Sequence, residues 1–174
     1  MERMIHRQPP ARFWLRAALL TGAICALPWL ALQRFSIGFD PQTDQCLPGA
    51  RLFVVDEWNR APERGQAFAF RAHGLAPWFR DGTKMIKVVD GLPGDRVAIS
   101  ERGVAINDHL VVEGLPLAAR LRKDPAAFAR TFALAPDEYL FLGRTPASFD
   151  GRYWGTVRRD ALLGRAYQPW RDWK

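Results

Sequence analysis

From Ala17 to Leu32 the chain carries no charged residue, and an apolar run of that kind near an N-terminus limits what the rest can be. Counted from Phe13, with Arg16 snorkelling to the headgroups, it supplies about the 20 residues that a bilayer core requires. Arg3, Arg7, Arg12 and Arg16 precede or open the run, against one acid, Glu2. Basic flank first and apolar span second predicts a cytoplasmic basic tail over 1–12, a transmembrane anchor over 13–33 and an exported domain over 34–174, a single pass. A cleaved signal peptide has the same order of parts. It needs small residues at two alternating positions, and Leu30-Ala31-Leu32-Gln33 supplies them poorly, so an uncleaved anchor is the preferred reading.

The formal net charge of +7 raises the question of a nucleic-acid partner. The basic residues divide between the flank and a tail with Arg158, Arg159, Arg165, Arg171 and Lys174, without an aromatic-basic module, so no nucleic acid is expected. Cys25 lies inside the span and Cys46 just beyond it. A bridge between them would pull one out of the membrane, which leaves Cys46 as a lone thiol in an oxidising compartment. Neither cysteine has metal-ligand spacing, and His6, His73 and His109 are scattered, so neither a metal site nor a cofactor is expected.

Beyond the span, 35–45 is turn-rich without helical periodicity and reads as a connector to the sharp Cys46-Leu47-Pro48-Gly49 turn. Short β-type runs follow at 51–56, 64–71, 84–90, 96–100, 104–106, 110–112, 137–143 and 162–167, separated by turn residues. The bulky loop 73–79 reads equally as core lining or as a segment touching the outer bilayer face. Leu117, Leu121 and Phe128 recur near helical spacing, which predicts two short helices within 117–130, Pro125 opening the second. The class is mostly β: an antiparallel β domain with minor helices behind one transmembrane helix.

Lys87 sits among Met85, Ile86, Val88 and Val89, and Gly91-Leu92-Pro93-Gly94-Asp95 then turns the chain. A strand lysine ordinarily points to solvent. The apolar neighbours offer a second reading, a buried amine available as a base. Nucleophilic catalysis also needs a nucleophile and a group that orients the base. Cys46 and Ser36 are the candidate nucleophiles and Ser148 the candidate orienting hydroxyl. The Gly91–Asp95 turn is no phosphate loop, because no Lys-Ser/Thr follows and its proline removes a donor.

Lys87 through Val97, with its lysine ahead of Gly-Leu-Pro-Gly-Asp, resembles the base-bearing segment of type I signal peptidases. Ser148-Phe149-Asp150-Gly151-Arg152-Tyr153-Trp154-Gly155 is similar to their final box, and Arg64-Gly65 before an apolar run resembles a third. Small size, the anchor and Cys46-Leu47-Pro48 resemble the conjugative-transfer, TraF-type branch. That resemblance implies a signal-peptidase-like β domain on the periplasmic face of a bacterial inner membrane, with the N-terminus cytoplasmic. It implies a precursor protein as substrate, pilin or another transfer protein, the inner-membrane lipid and conjugation or type IV secretion components as partners, and acyl-enzyme chemistry with either hydrolysis or cyclisation.

The family places serine where this chain has Cys46. The departure leaves a Cys/Lys peptidase, a peptidase using Ser36 in another register, or an inactive relative that takes part in pilus assembly. A free thiol ionises near pH 8.5, far more readily than a hydroxyl, which favours Cys46. The resemblance further implies that Lys87 is the base, that Ser148 holds it, and that Asp150 and Arg152 brace the final box. The Cys46 N–H is expected to be one oxyanion donor. For the second, Asp44 stands where the family has a hydroxyl residue, and Thr43 is the substitute candidate.

Overall fold

The computed structural model describes residues 10–40, 45–49 and 51–169. Arg3, Arg7, Thr43, Asp44, Arg171 and Lys174 therefore lie outside the described residues. The chain divides into two units, 1–35 and 36–174. In the first, α1 runs Ala11–Arg34, 24 residues, with Pro28 inside it and no buried side chain. At 1.5 Å per residue this is roughly 36 Å, long and apolar enough to cross a membrane.

The second unit is an antiparallel β domain of two sheets. The strands, in chain order, are β1 Phe35–Phe39, β2 Leu52–Asp56, β3 Ala67–Arg71, β4 Lys84–Gly91, β5 Arg96–Ser100, β6 Gly103–Ile106, β7 His109–Glu113, β8 Arg130–Ala133, β9 Glu138–Leu142, β10 Val157–Arg158 and β11 Leu162–Tyr167. Seven form one sheet in the order β1-β2-β11-β3-β4-β9-β10, and four form the other in the order β7-β6-β5-β8. The mostly β class with minor helices is as the sequence predicts. Val97, Ile99, Val104 and Ile106 of the small sheet pack with Leu140 and Leu142 of β9, so one apolar layer joins the sheets. Phe68, Phe70, Val89 and Phe141 fill a second cluster, where the Phe70 and Phe141 rings lie 4.7 Å apart.

Three local expectations are corrected. The stretch 35–39 is not connector but the edge strand β1; its Phe35, Ile37 and Phe39 alternate at period two yet face outward, while Gly38 is buried against Ile86 and Phe53. In place of two helices, residues 117–123 make turns and only Pro125–Phe128 forms a 3-10 turn, capped by the Asp124 side chain. Arg122 has φ +55°, a left-handed conformation that stops helical propagation there. The stretch 144–155, a dense run of polar and aromatic residues that reads from the sequence as a loop, instead contains α2, Gly151–Trp154, capped by the Asp150 carboxylate on the Arg152 N–H. The loop 73–79 divides: Leu75 joins the core, whereas Trp78 is exposed.

The turn leaving β4 is fixed by one carboxylate. Asp95 accepts from the Leu92 N–H at 2.6 Å, from Arg64 at 2.8 Å and from Asn107 at 2.7 Å. Burial disfavours the charged form, but these three bonds outweigh it and hold the Asp95 carboxyl below its ordinary 3.8. A depressed folded-state value means that the contribution is present above the unfolded value and is lost as pH falls through the folded one. Acid titration of the unfolding free energy is expected to show a decline below about pH 4 that is shallower in Asp95→Asn. Equal slopes in the two proteins would contradict this.

Candidate active site

β4 brings Lys87 into the interior. It pairs with Phe68 of β3, and the neighbouring Val88 pairs with Leu142 of β9, so Lys87 lies within the sheet and is 1% exposed. Its Nζ lies 2.9 Å from Cys46 Sγ and 3.1 Å from Ser148 Oγ. Side chains 41 and 61 positions away in sequence thus meet at one amine. Cys46 carries a free thiol, half-buried, and lines a cleft of about 350 Å³ together with Phe39, Leu47, Phe53, Phe79 and Lys87.

Ser36 is not brought to this group. Its Oγ accepts a hydrogen bond at 3.0 Å from Lys84, an exposed lysine three residues before Lys87. Lys84 and Lys87 have an odd separation and so point to opposite faces of β4. Thr43 and Asp44, the positions weighed for the second oxyanion donor, lie outside the described residues.

Asp150 and Arg152 lie directly beneath Ser148. The Arg152 Nε and Nη2 donate to the two Asp150 carboxylate oxygens at 2.8 Å each, with side chains 1% and 0% exposed. Arg152 Nη2 also donates to the Ser148 carbonyl at 3.2 Å, and Asp150 accepts from the Gly143 N–H at 2.9 Å. Burial alone would ease deprotonation of Arg152, but the Asp150 carboxylate outweighs it and holds the guanidinium charged. Gly143 has no room for a side chain, because a Cβ there would collide with Ser148 Oγ.

Residues that the sequence patterns do not single out hold the Cys46 turn in place. Arg144 forks onto Asp90, at 2.8 and 2.9 Å, and its backbone N–H donates to the Cys46 carbonyl at 2.8 Å. The Thr145 hydroxyl donates to the Gln45 carbonyl at 2.8 Å. Burial pushes the Asp90 carboxyl up, and the Arg144 fork offsets part of that effect. Arg64 also reaches the Asp90 carbonyl, which joins the turn after β4 to the same network. The Arg144-Thr145 pair carries no local signal of this role, since Asp90 is 54 positions away from Arg144. Phe79 likewise bridges distant parts, lining the cleft and stacking at 6.0 Å on Phe149, the residue after Ser148.

A buried amine between a thiol and a hydroxyl, lining a cleft and braced by an ion pair, is an arrangement able to take a proton from the thiol. Comparison with known proteins gives it a family. The profile described as signal peptidase, peptidase S26, matches residues 11–173. A probable signal peptidase I-2 of Synechocystis sp. is 37% identical over 169 residues, 91% of this chain and 74% of that protein. The conjugal transfer protein TraF of Agrobacterium fabrum is 32% identical over 68% of this chain, and the plasmid transfer protein TraF of Escherichia coli is 33% identical over 63%. The matched regions are 65% and 60% of those two proteins, less than two thirds of either. A crystal structure of a signal peptidase I from Enterococcus faecalis matches 60% of this chain and 95% of its own, with 25% identity and a TM-score of 0.38. With a family match that runs from the start of α1 almost to the last residue, this chain belongs to the signal peptidase family, peptidase S26.

Proposed function

We propose that this chain is a membrane-anchored peptidase that cleaves exported precursor proteins, with Cys46 as nucleophile and Lys87 as general base. The observation that carries the reading is the 2.9 Å approach of Lys87 Nζ to Cys46 Sγ in the wall of a cleft. Lys87 takes the thiol proton as the sulfur attacks the carbonyl carbon after a small residue. The Cys46 N–H steadies the resulting oxyanion. As the peptide C–N bond breaks, the lysine ammonium returns the proton to the leaving amine, and a thioester remains on Cys46. Water then releases a carboxylate and regenerates the thiol; an incoming amine in place of water joins a new peptide bond.

Ser148 orients the lysine amine through the 3.1 Å contact, and Asp150 with Arg152 fixes Ser148 from below. The basic flank of α1 supports a cytoplasmic N-terminus and a β domain on the periplasmic side of an inner membrane. Similarity to two transfer proteins named TraF supports a precursor from conjugation, a pilin or another transfer protein, with secretion components nearby.

The test is precursor processing in cells together with thiol labelling. Cys46→Ala is expected to abolish processing and Ser36→Ala to leave it near wild type. A thiol alkylating reagent is expected to block processing in the wild type and in Cys25→Ser alike. Full processing by Cys46→Ala would remove the thiol from the mechanism, and its loss in Ser36→Ala would move the nucleophile there. Normal pilus assembly with no processing by any variant or by the wild type would instead identify a non-catalytic assembly component.

A further inference from the structure

The Gln45–Cys46 backbone lies between two cavities. On one side is the cleft that Cys46 shares with Lys87. On the other is a larger groove, about 970 Å³, lined by Leu110 and Val111 of β7 and by Gly143, Arg144, Thr145 and Pro146. The groove-lining turn is the one that holds the nucleophile. Arg144 donates to the Cys46 carbonyl and Thr145 to the Gln45 carbonyl, and a Cβ on Gly143 would touch Ser148 Oγ. Cys46, Lys87 and Ser148 do not line the groove; it adjoins the reacting centre through this turn, whose residues contact Gln45, Cys46 and Ser148.

Its outer wall has the character of an unfilled sheet edge. β7 pairs with β6 on one side and is the last strand of the four-stranded sheet. Leu110 is 54% exposed and Val111 41%. The edge carries no proline, and its five residues span about 17 Å, with a register shift at Val111 between the pairs of Leu110 and Val112, so the regular edge offered to an extended peptide lies on either side of that residue. Strand addition supplies main-chain hydrogen bonds without demanding a particular sequence, while exposed apolar side chains supply contact area.

We propose that this groove binds the segment of the precursor on the C-terminal side of the cleaved bond, as an extended strand added to the edge of β7. The proposal rests on the peptidase reading above. A bond attacked at Cys46 Sγ divides the substrate into an acyl half and a leaving half. The acyl half occupies the cleft beside Lys87, and the leaving half departs across the turn of Gly143–Pro146 onto Leu110 and Val111. The leaving half is then held until the lysine has delivered its proton, and it marks the place from which an incoming amine approaches the thioester.

The experiment uses the full chain in detergent micelles and internally quenched peptides with Ala-Ser-Ala on the acyl side, followed by one, three or five residues. The wild-type kcat/KM is expected to rise about tenfold from the shortest to the longest peptide, as a few strand hydrogen bonds and one apolar contact imply. In Leu110→Lys and Val111→Lys the ratio of wild-type to variant rates is expected to grow with length. N-methylation of successive amides in the five-residue extension is expected to slow cleavage at alternate positions, the signature of strand pairing. Both positions are exposed, and thermal unfolding of each variant checks that the fold is intact.

Cleavage that is independent of length, or a wild-type to variant ratio that stays constant, overturns the proposal while leaving the peptidase reading in place. A change of oligomeric state in Val111→Lys with no change in length dependence also overturns it and assigns the edge to a second copy of the chain. No cleavage of any peptide by the wild type removes the peptidase reading and this one with it.

Discussion

Lys87→Met is expected to lower precursor processing by about 10² to 10⁴ in rate, the span that general acid–base groups contribute. Methionine keeps an unbranched stem, with a sulfur in place of the δ-methylene, and lacks the amine, so β4 is expected to keep its pairing with β3 and β9. Two atoms lose their partner at once: Cys46 Sγ at 2.9 Å and Ser148 Oγ at 3.1 Å. The informative comparison is Lys87→Arg. A guanidinium preserves charge and donors but does not give up a proton in proteins, so a base is lost while a cation is kept. Both variants are expected to be inactive, and alkylation of Cys46 is expected to slow in Lys87→Met. Activity in Lys87→Arg would mean that the site needs positive charge beside the thiol rather than a proton acceptor, and full processing in Lys87→Met would sink the dyad.

The lysine is legible in the sequence for a simple reason. Its neighbourhood is a local pattern, a short apolar strand closed by Gly91-Leu92-Pro93-Gly94-Asp95, which leaves solvent and interior both open to the side chain until the resemblance to the signal-peptidase segment favours the interior. The same holds for the box from Ser148 to Gly155, although α2 inside it is not legible, because four residues give no helical period. β1 is hidden for the opposite reason: its alternation is present, but Phe35, Ile37 and Phe39 face outward at a sheet edge, and the strand follows the apolar span without a break. The helices expected within 117–130 rest on three apolar residues, whose spacing serves turns packed on the core equally well. What no local pattern supplies is the bracing of the Cys46 turn. Arg144 finds Asp90 across 54 positions and Thr145 finds Gln45 across 100, and such pairings exist only once the sheets have closed.

Arg152→Met is expected to destabilise the β domain by about 3–5 kcal/mol, because it strands the Asp150 carboxylate in a site with no solvent access. For a domain of this size that corresponds to a fall in Tm on the order of 10 °C. Burying two charges is itself expensive, so the pair as a whole is not the source of the domain's stability; the cost arises when one partner is removed. Asp150→Asn is therefore expected to be similarly damaging, leaving Arg152 charged and unpaired, while Asp150→Asn combined with Arg152→Met should cost less than the sum of the single changes. Thermal and denaturant unfolding of the three variants measures that coupling. The functional consequence follows from what the pair touches. Asp150 holds the Gly143 N–H and Arg152 holds the Ser148 carbonyl, so the ion pair fixes the hydroxyl that meets Lys87. Loss of processing at temperatures where Arg152→Met remains folded would locate its role in aligning Ser148 with the lysine. A cost below about 1 kcal/mol would show that the pair holds neither the fold nor the site, since surface ion pairs reach that value.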